Sequence, residues 1–339
     1  MTTPLLEVIQ QHYPDARITY VVGNWSKVIA EHHPAVQEVI DCGTVGIPGR
    51  YHFSAYLNLA RRLRQYHFDL AFVLDRSPML TLLPWLANIP RRVGPDSLGR
   101  GFSLTDRVPV STSRTQLQHQ ADIYLDLARA LHLPIGHPHM RFVPTEAERI
   151  AVRQALPPAR TRVVVFPGGG SNPGMQLTAK RWSLDGYREI VHRLVHDLAL
   201  QVLLIGGKED FDLNQSLLVP LDVPPGSVLN LAGQCQFGET AAYLESCALF
   251  IGNDSSPMHL AVAVGTPVIA IFGPTSPQEY GPYPLDDPTH IAIWRHPTGQ
   301  PCFFLGRMQT CEHCTCMSSV TVDDVWHAVQ RLIPHDSKV

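Results

Sequence analysis

Short runs of consecutive apolar residues alternate along this chain with stretches in which apolar positions recur every three to four residues. The runs read as strands at 17–22 (RITYVV), 36–41 (VQEVID), 69–74 (DLAFVL), 162–166, 201–205, 228–231, 248–252 and 267–272. Helical spacing marks the opening residues around Leu5, Leu6, Val8 and Ile9, then 54–66, 79–87, 117–133, 182–198, 210–218, 238–247, 257–264 and 322–333. The segment 89–101 (IPRRVGPDSLGRG) reads as turn-rich. Pro134, Pro138, Pro144, Pro157 and Pro158 surround one short polar helix and mark a linker. Segments such as 202–205 and 268–272 are apolar without interruption, the mark of parallel strands covered on both faces. The expected fold is therefore α/β, with two Rossmann-like, doubly wound domains at 1–143 and 144–339 facing across a cleft. In such sheets ligands bind outside the carboxyl ends of the strands, so the loops that follow strands carry the chemistry. A helix precedes the first strand here, whereas chains of this kind open on a strand, so a preceding strand is expected upstream of Met1.

Composition sharpens this picture in four places. A length of 339 residues suits two domains rather than one core. A formal net charge of -3 offers no electrostatic basis for nucleic-acid binding. The longest apolar run, 258–272, is too short to cross a bilayer and is cut by Gly265 and Pro267, and Met1-Thr-Thr-Pro4 does not resemble a signal peptide. Seven cysteines, an odd number, fit a reducing cytoplasm. Four of them, Cys302, Cys311, Cys314 and Cys316, crowd around His313. Cys311-x-x-Cys314 has zinc-ligand spacing, and a reduced thiol cluster is the other reading.

Four strand-end loops of the second domain offer groups suited to a phosphate ester or a ribose. In 166–172 (FPGGGSN), Gly168 and Gly169 permit close backbone approach to a ligand. Thr178 and Lys180 place a hydroxyl and a cation before the next helix. Glu209 or Asp210, at the end of the second strand, is placed to accept from a ribose diol, or serves as a favourable charge at a helix start. In 252–259 (GNDSSPMH), Asp254, Ser255 and Ser256 precede Pro257, which suits a first helical position. Ser256 is expected near the N-cap of a helix start that forms an anion site, with His259 in its first turn.

Lys180-x-Trp182, the segment GNDSSPMHLAVAVGTPVIAIFGPTSP and IPRRVG together resemble glycosyltransferase family 9, the ADP-heptose:lipopolysaccharide heptosyltransferases. The resemblance runs over essentially the whole chain and is densest from 163 to 277. It implies a GT-B fold, with the donor bound mainly by the C-terminal domain and the acceptor by the N-terminal one. The implied reaction is an inverting, metal-independent transfer of heptose from ADP-heptose to the inner core on Kdo–lipid A, with no cofactor. On this reading Thr178 and Lys180 hold the donor diphosphate, and Ser255, Ser256 and His259 form the phosphate-binding helix start. Glu209 falls near the ribose-binding acid and Phe237 near adenine. Arg76, Arg91 and Arg92, with Arg100, are candidates for anionic groups of the acceptor. The family has Gly where this chain has Ser256, and it takes its general base from an Asp in a Gly-Asp pair that lies upstream of Met1. Asp75, after the strand at 69–74, is the nearby candidate substitute. The alternative is a nucleotide-sugar-binding protein without transferase activity. The implied setting is the cytoplasm, peripheral at the inner face of the cytoplasmic membrane.

Overall fold

A computed structural model describes residues 1–43, 45, 52–156, 160–172, 175–295, 301–304, 307–308 and 315–333. The chain divides into two compact units, Met1–Met140 and Arg141–Val339.

Unit 1 contains α1 (Thr3–His12), β1 (Thr19–Val22), α2 (Lys27–Glu31), β2 (Glu38–Asp41), α3 (Phe53–Arg64), β3 (Leu70–Phe72), α4 (Pro78–Leu86), β4 (Arg91–Asp96), β5 (Asp106–Pro109) and α5 (Gln120–Arg129). Its strands are parallel and form two ladders, β1–β2 and β3–β4–β5. Helix α1 buries Leu5, Leu6, Val8 and Ile9 and packs along α5. Tyr56, Leu59 and Leu63 of α3 join Leu83 of α4 over Ile40 of β2, so a helical stripe and a strand share one apolar cluster.

Two strands here correct the sequence reading. The segment taken as turn-rich contains β4, and β5 follows it. Gly94 and Pro95 disguise β4, yet the ladder accommodates the proline. Val93 O accepts from Val73 N on the β3 side, so Pro95, two residues on, turns its backbone nitrogen the same way. The β3 pairing has already ended at Phe72↔Val93, and the missing N–H leaves no ladder bond unmade.

Unit 2 contains α6 (Glu146–Ala155), β6 (Arg162–Phe166), a short hairpin of β7 (Ser171–Asn172) and β8 (Met175–Gln176), α7 (Leu184–His196) and β9 (Gln201–Leu204). There follow α8 (Phe211–Leu218), β10 (Val228–Asn230), α9 (Phe237–Glu245), β11 (Leu249–Asn253), α10 (Ser256–Ala263), β12 (Val268–Phe272), α11 (Pro277–Tyr280), β13 (His290–Trp294), α12 (Thr315–Ser318) and α13 (Val322–Leu332). One six-stranded parallel sheet runs in the order β10-β9-β6-β11-β12-β13. That is the Rossmann order, in which the order of strand addition reverses between the first and fourth strands. The reversal falls between β6 and β11. Val163, Val165, Val202, Leu204, Leu249, Ile251, Ile269 and Ile271 share one buried face of the sheet with Tyr187, Ile190 and Leu194 of α7. Every residue of β9, β11 and β12 is buried, as their unbroken apolar runs require. The edge strand β13 is only partly buried, with Ile293 enclosed and Ala292 exposed, and was not apparent as a run. Among the described residues no helix is long and apolar enough to cross a membrane.

Candidate functional site

The loops that follow β6 and β11 meet at the sheet's switch point, and Asn253, the last residue of β11, ties them together. Its side chain is completely buried. Oδ1 accepts from Trp182 N (3.0 Å) and from the Tyr187 hydroxyl (2.9 Å), while Nδ2 donates to Pro167 O (3.1 Å) and Gly168 O (2.9 Å). Burial pushes the Tyr187 phenol well above its ordinary range, which keeps the hydroxyl protonated as a donor. All four hydrogen-bonding positions of the amide are used, so the glycine loop, the segment after Lys180 and the end of β11 hold one arrangement.

The glycine loop is shaped by what surrounds it. Gly169 and Gly170 adopt φ of +104° and +75°, a region that L side chains rarely enter. A Cβ on Gly168 would collide with the Asp210 carboxylate, and one on Gly170 with the Leu177 carbonyl. Leu177 N donates to Gly170 O, so the β7–β8 hairpin returns the chain beside the loop. Arg181 Nε donates to Gly169 O at 2.9 Å. This closure delivers Thr178, exposed, and Lys180, half-buried, to the same edge.

Lys180 Nζ donates to Asp254 Oδ2 at 2.6 Å, and the Thr275 hydroxyl donates to the same oxygen at 2.6 Å. Asp254 is 5% exposed at its side chain and Lys180 17%. A buried carboxylate needs a partner, and this one has two, of which the lysine keeps two further ammonium protons for an anion. Asp254, expected among the donor-binding residues, here positions Lys180. Thr275 was missed as a participant, although its loop follows the adjacent strand.

Helix α10 begins one residue earlier than expected. Ser255 is its N-cap and Ser256 the first helical residue. The Ser255 hydroxyl donates back to Asn253 O (2.9 Å) and makes no cap bond to the helix. The first-turn N–H groups therefore point to the sheet's carboxyl edge without a side-chain cap, beside the exposed Ser256 and the half-buried His259.

The two acids after β9 separate in role. Asp210 is buried and accepts from Gly207 N (3.0 Å), and its burial raises its carboxyl above the ordinary range. Glu209, the acid expected near a ribose, is exposed. Phe237 opens α9 and packs on the buried Phe142, ring centroids 5.7 Å apart. Cys302 and Cys316 line a cavity of about 300 Å³ with Met308, Met317 and Arg181. Cys311, His313 and Cys314 lie outside the described residues, and among the described ones no three His, Cys, Asp or Glu side chains gather as a metal-ligand set.

On unit 1, Asp75 and Arg76 follow β3 at its carboxyl end and line a cavity of about 250 Å³ with Leu74, Pro95, Gln120 and Tyr124. Arg91 and Arg92 stand elsewhere. The ladder pairs them with Leu70 and Ala71, at the amino edge of the sheet. Arg91 forks onto Asp106 (3.2 and 3.1 Å), and Arg92 donates to the carbonyls of Ser103, Ile89 and Pro90. The structure thus places Arg76 at the carboxyl edge of the β3–β4–β5 ladder and employs the other two in the fold. Asp41, Asp75 and Asp96, at the ends of β2, β3 and β4, each accept from a backbone N–H just beyond: Gly43, Ser77 and Gly101.

Residues 56–308 match the family model described as Glycosyltransferase family 9 (heptosyltransferase). Lipopolysaccharide heptosyltransferase 2 of Escherichia coli K12 is 28% identical over 285 residues, covering 82% of this chain and 80% of that protein. Lipooligosaccharide heptosyltransferase 2 of Haemophilus influenzae is 28% identical over 304 residues, with 86% and 84% covered. Among solved structures, E. coli ADP-heptose LPS heptosyltransferase II superposes with a TM-score of 0.75 at 24% identity, covering 98% of this chain and 93% of that one. At that identity the likeness establishes the fold, which is of the GT-B class.

Proposed function

This chain belongs to glycosyltransferase family 9, and from that premise we propose that it transfers heptose from ADP-heptose to a lipopolysaccharide inner-core acceptor, with inversion and without a metal ion. The observation that carries the proposal is the Lys180–Asp254 pair at 2.6 Å, set at the switch point beside an uncapped helix start. When the sugar's anomeric bond breaks, negative charge develops on the departing diphosphate. Lys180 meets it with its remaining ammonium protons, and the first-turn N–H groups of α10 add a fixed positive potential. Asp254 and Thr275 hold the lysine in place, so little reorganisation accompanies the step. Thr178, Ser255, Ser256 and His259 complete the phosphate side, Gly168 and Gly169 allow the nucleotide's close approach, and Glu209 accepts from the ribose. Phe237 belongs to the adenine side.

The acceptor side belongs to unit 1. Arg76, in its cavity with Gln120 and Tyr124, supplies a cation and neutral donors for a carboxylate or phosphate of a Kdo–lipid A type acceptor. An acceptor of that kind places the reaction at the cytoplasmic face of the inner membrane, with the protein peripheral to it.

A second reading, binding of the nucleotide sugar without transfer, is favoured by one observation. Asp41, Asp75 and Asp96, at the carboxyl ends of unit-1 strands, are each engaged in holding the turn that follows. The test is a transfer assay with ADP-heptose and Kdo–lipid A, followed by mass spectrometry of the lipid product. A heptosylated product supports transfer. A donor-induced thermal shift with no product supports binding alone, and absence of both overturns the two readings.

A further inference from the structure

The geometry points to a membrane-docking face on unit 1, made by Leu98, Phe102 and Trp85 together with Arg100 and Arg107, whose occupant is an anionic lipid surface. It builds on the lipid-linked acceptor of the preceding reading and names the surface that meets that lipid.

Leu98 is the least expected of these residues. It sits at φ +58°, followed by Gly99 at φ +75°, and is 79% exposed. Glycine, asparagine or aspartate occupy that backbone region more readily than leucine. The folded chain gains little packing from this side chain, so a leucine held there implies a use outside the fold.

Its neighbours repeat the pattern. Residues 97–105 form the crossover between the parallel strands β4 and β5, running from the carboxyl to the amino edge. The Thr81 hydroxyl donates to Arg100 O at 3.2 Å, which lays this crossover along α4. Both the crossover and α4 then run toward the amino edge, and each carries an exposed aromatic residue, Phe102 (56% exposed) on the crossover and Trp85 (54% exposed) one helical turn beyond Thr81. Arg100 is exposed, and Arg107 Nη2 donates to the Phe102 backbone carbonyl at 2.9 Å, which ties an exposed guanidinium to the crossover.

Charge selects the occupant. Along the crossover and its flanks (95–110) the charged residues are the exposed Arg100 and Arg107 and the carboxylates Asp96 and Asp106. Asp96 accepts from Gly101 N and Asp106 is forked by Arg91, so both acids are engaged within the fold. A second copy docked symmetrically on this face would set arginine against arginine. An anionic lipid surface takes the arginines at its headgroups and the leucine and aromatic rings at the acyl boundary.

The test is co-sedimentation of the full chain with vesicles of equal parts phosphatidylglycerol and phosphatidylcholine, and with phosphatidylcholine alone. The chain is expected to sediment with the anionic vesicles, less so as salt rises, and weakly with the neutral ones. Arg100→Gln with Arg107→Gln lowers partitioning by about thirty-fold. Leu98→Asn with Phe102→Ser abolishes it while the melting temperature holds or rises, because asparagine suits the backbone at 98. Failure of the native chain to bind anionic vesicles, or equal binding by both variants, overturns the proposal. So does a concentration-dependent dimer that Leu98→Asn with Phe102→Ser dissolves in the absence of lipid binding. ADP-heptose-induced thermal shift on the same samples separates the two ideas, since its absence in the native chain overturns the transfer reading and leaves the vesicle result standing.

Discussion

Replacement of Asn253 by alanine removes the amide that joins three segments at the carboxyl edge of the six-stranded sheet. The change leaves Trp182 N, the Tyr187 hydroxyl, Pro167 O and Gly168 O without their partner, all around a fully buried position. An unsatisfied buried polar group costs about 1–3 kcal/mol, so four at the low end of that range amount to about 4 kcal/mol. For a unit of this size that corresponds to a fall of roughly 8–16 °C in the unfolding transition. Tyr187→Phe is the internal control. It removes one donor while Trp182 N still occupies Asn253 Oδ1, and the expected cost is about 1 kcal/mol. Calorimetry of the full chain resolves the two variants, and a double mutant measures their coupling. Asn253→Ala destabilised by no more than Tyr187→Phe would refute the hub. So would a donor-induced thermal shift in Asn253→Ala equal to that of the native chain.

Arg76→Ala is expected to raise the acceptor KM with the donor affinity unchanged, whereas Arg92→Ala lowers the melting temperature and leaves the acceptor KM alone. Steady-state kinetics beside thermal melts separate the two. Asp75→Asn preserves the oxygen that accepts from Ser77 N, so kcat stays within about threefold. A fall of a hundredfold or more in a rate assay, the range for loss of a general base, would make Asp75 that base. Arg295 holds the Asp324 carboxyl down to about 2, helped by the Thr321 cap. Its folded value lies below its unfolded value, so its stabilisation is full above about pH 4 and is lost as pH falls toward 2. Urea midpoints of native and Asp324→Asn chains should therefore differ at pH 6 and converge near pH 2.

How much of this was legible depended on burial. Strands β9, β11 and β12 are enclosed on both faces, and their sequences are unbroken apolar runs. Strand β13, at the sheet's edge, and β4, which contains Gly94 and Pro95, lack that signal because part of each is excused from packing or pairing. The helix start at 255–259 was readable from local residue types, to within one position of its cap. The Lys180–Asp254 pair spans 74 residues and depends on β6 lying next to β11, which no local spacing reveals. The polar residue Asn253 ends a buried strand, a combination that signals a hub, but its four partners come from three separate segments. Arg91 and Arg92 looked like anion binders by composition, and only the ladder register places them at the amino edge.

The donor site is tested most directly by calorimetric titration of ADP-heptose into the native chain, Lys180→Ala, and Lys180→Ala with Asp254→Asn. A charge-assisted contact to the diphosphate predicts a loss of roughly ten- to a hundredfold in affinity for Lys180→Ala. The double variant, which no longer leaves Asp254 buried without its lysine, should recover thermal stability but not affinity. Equal affinity in the native chain and Lys180→Ala would contradict the assignment of Lys180 to the departing diphosphate.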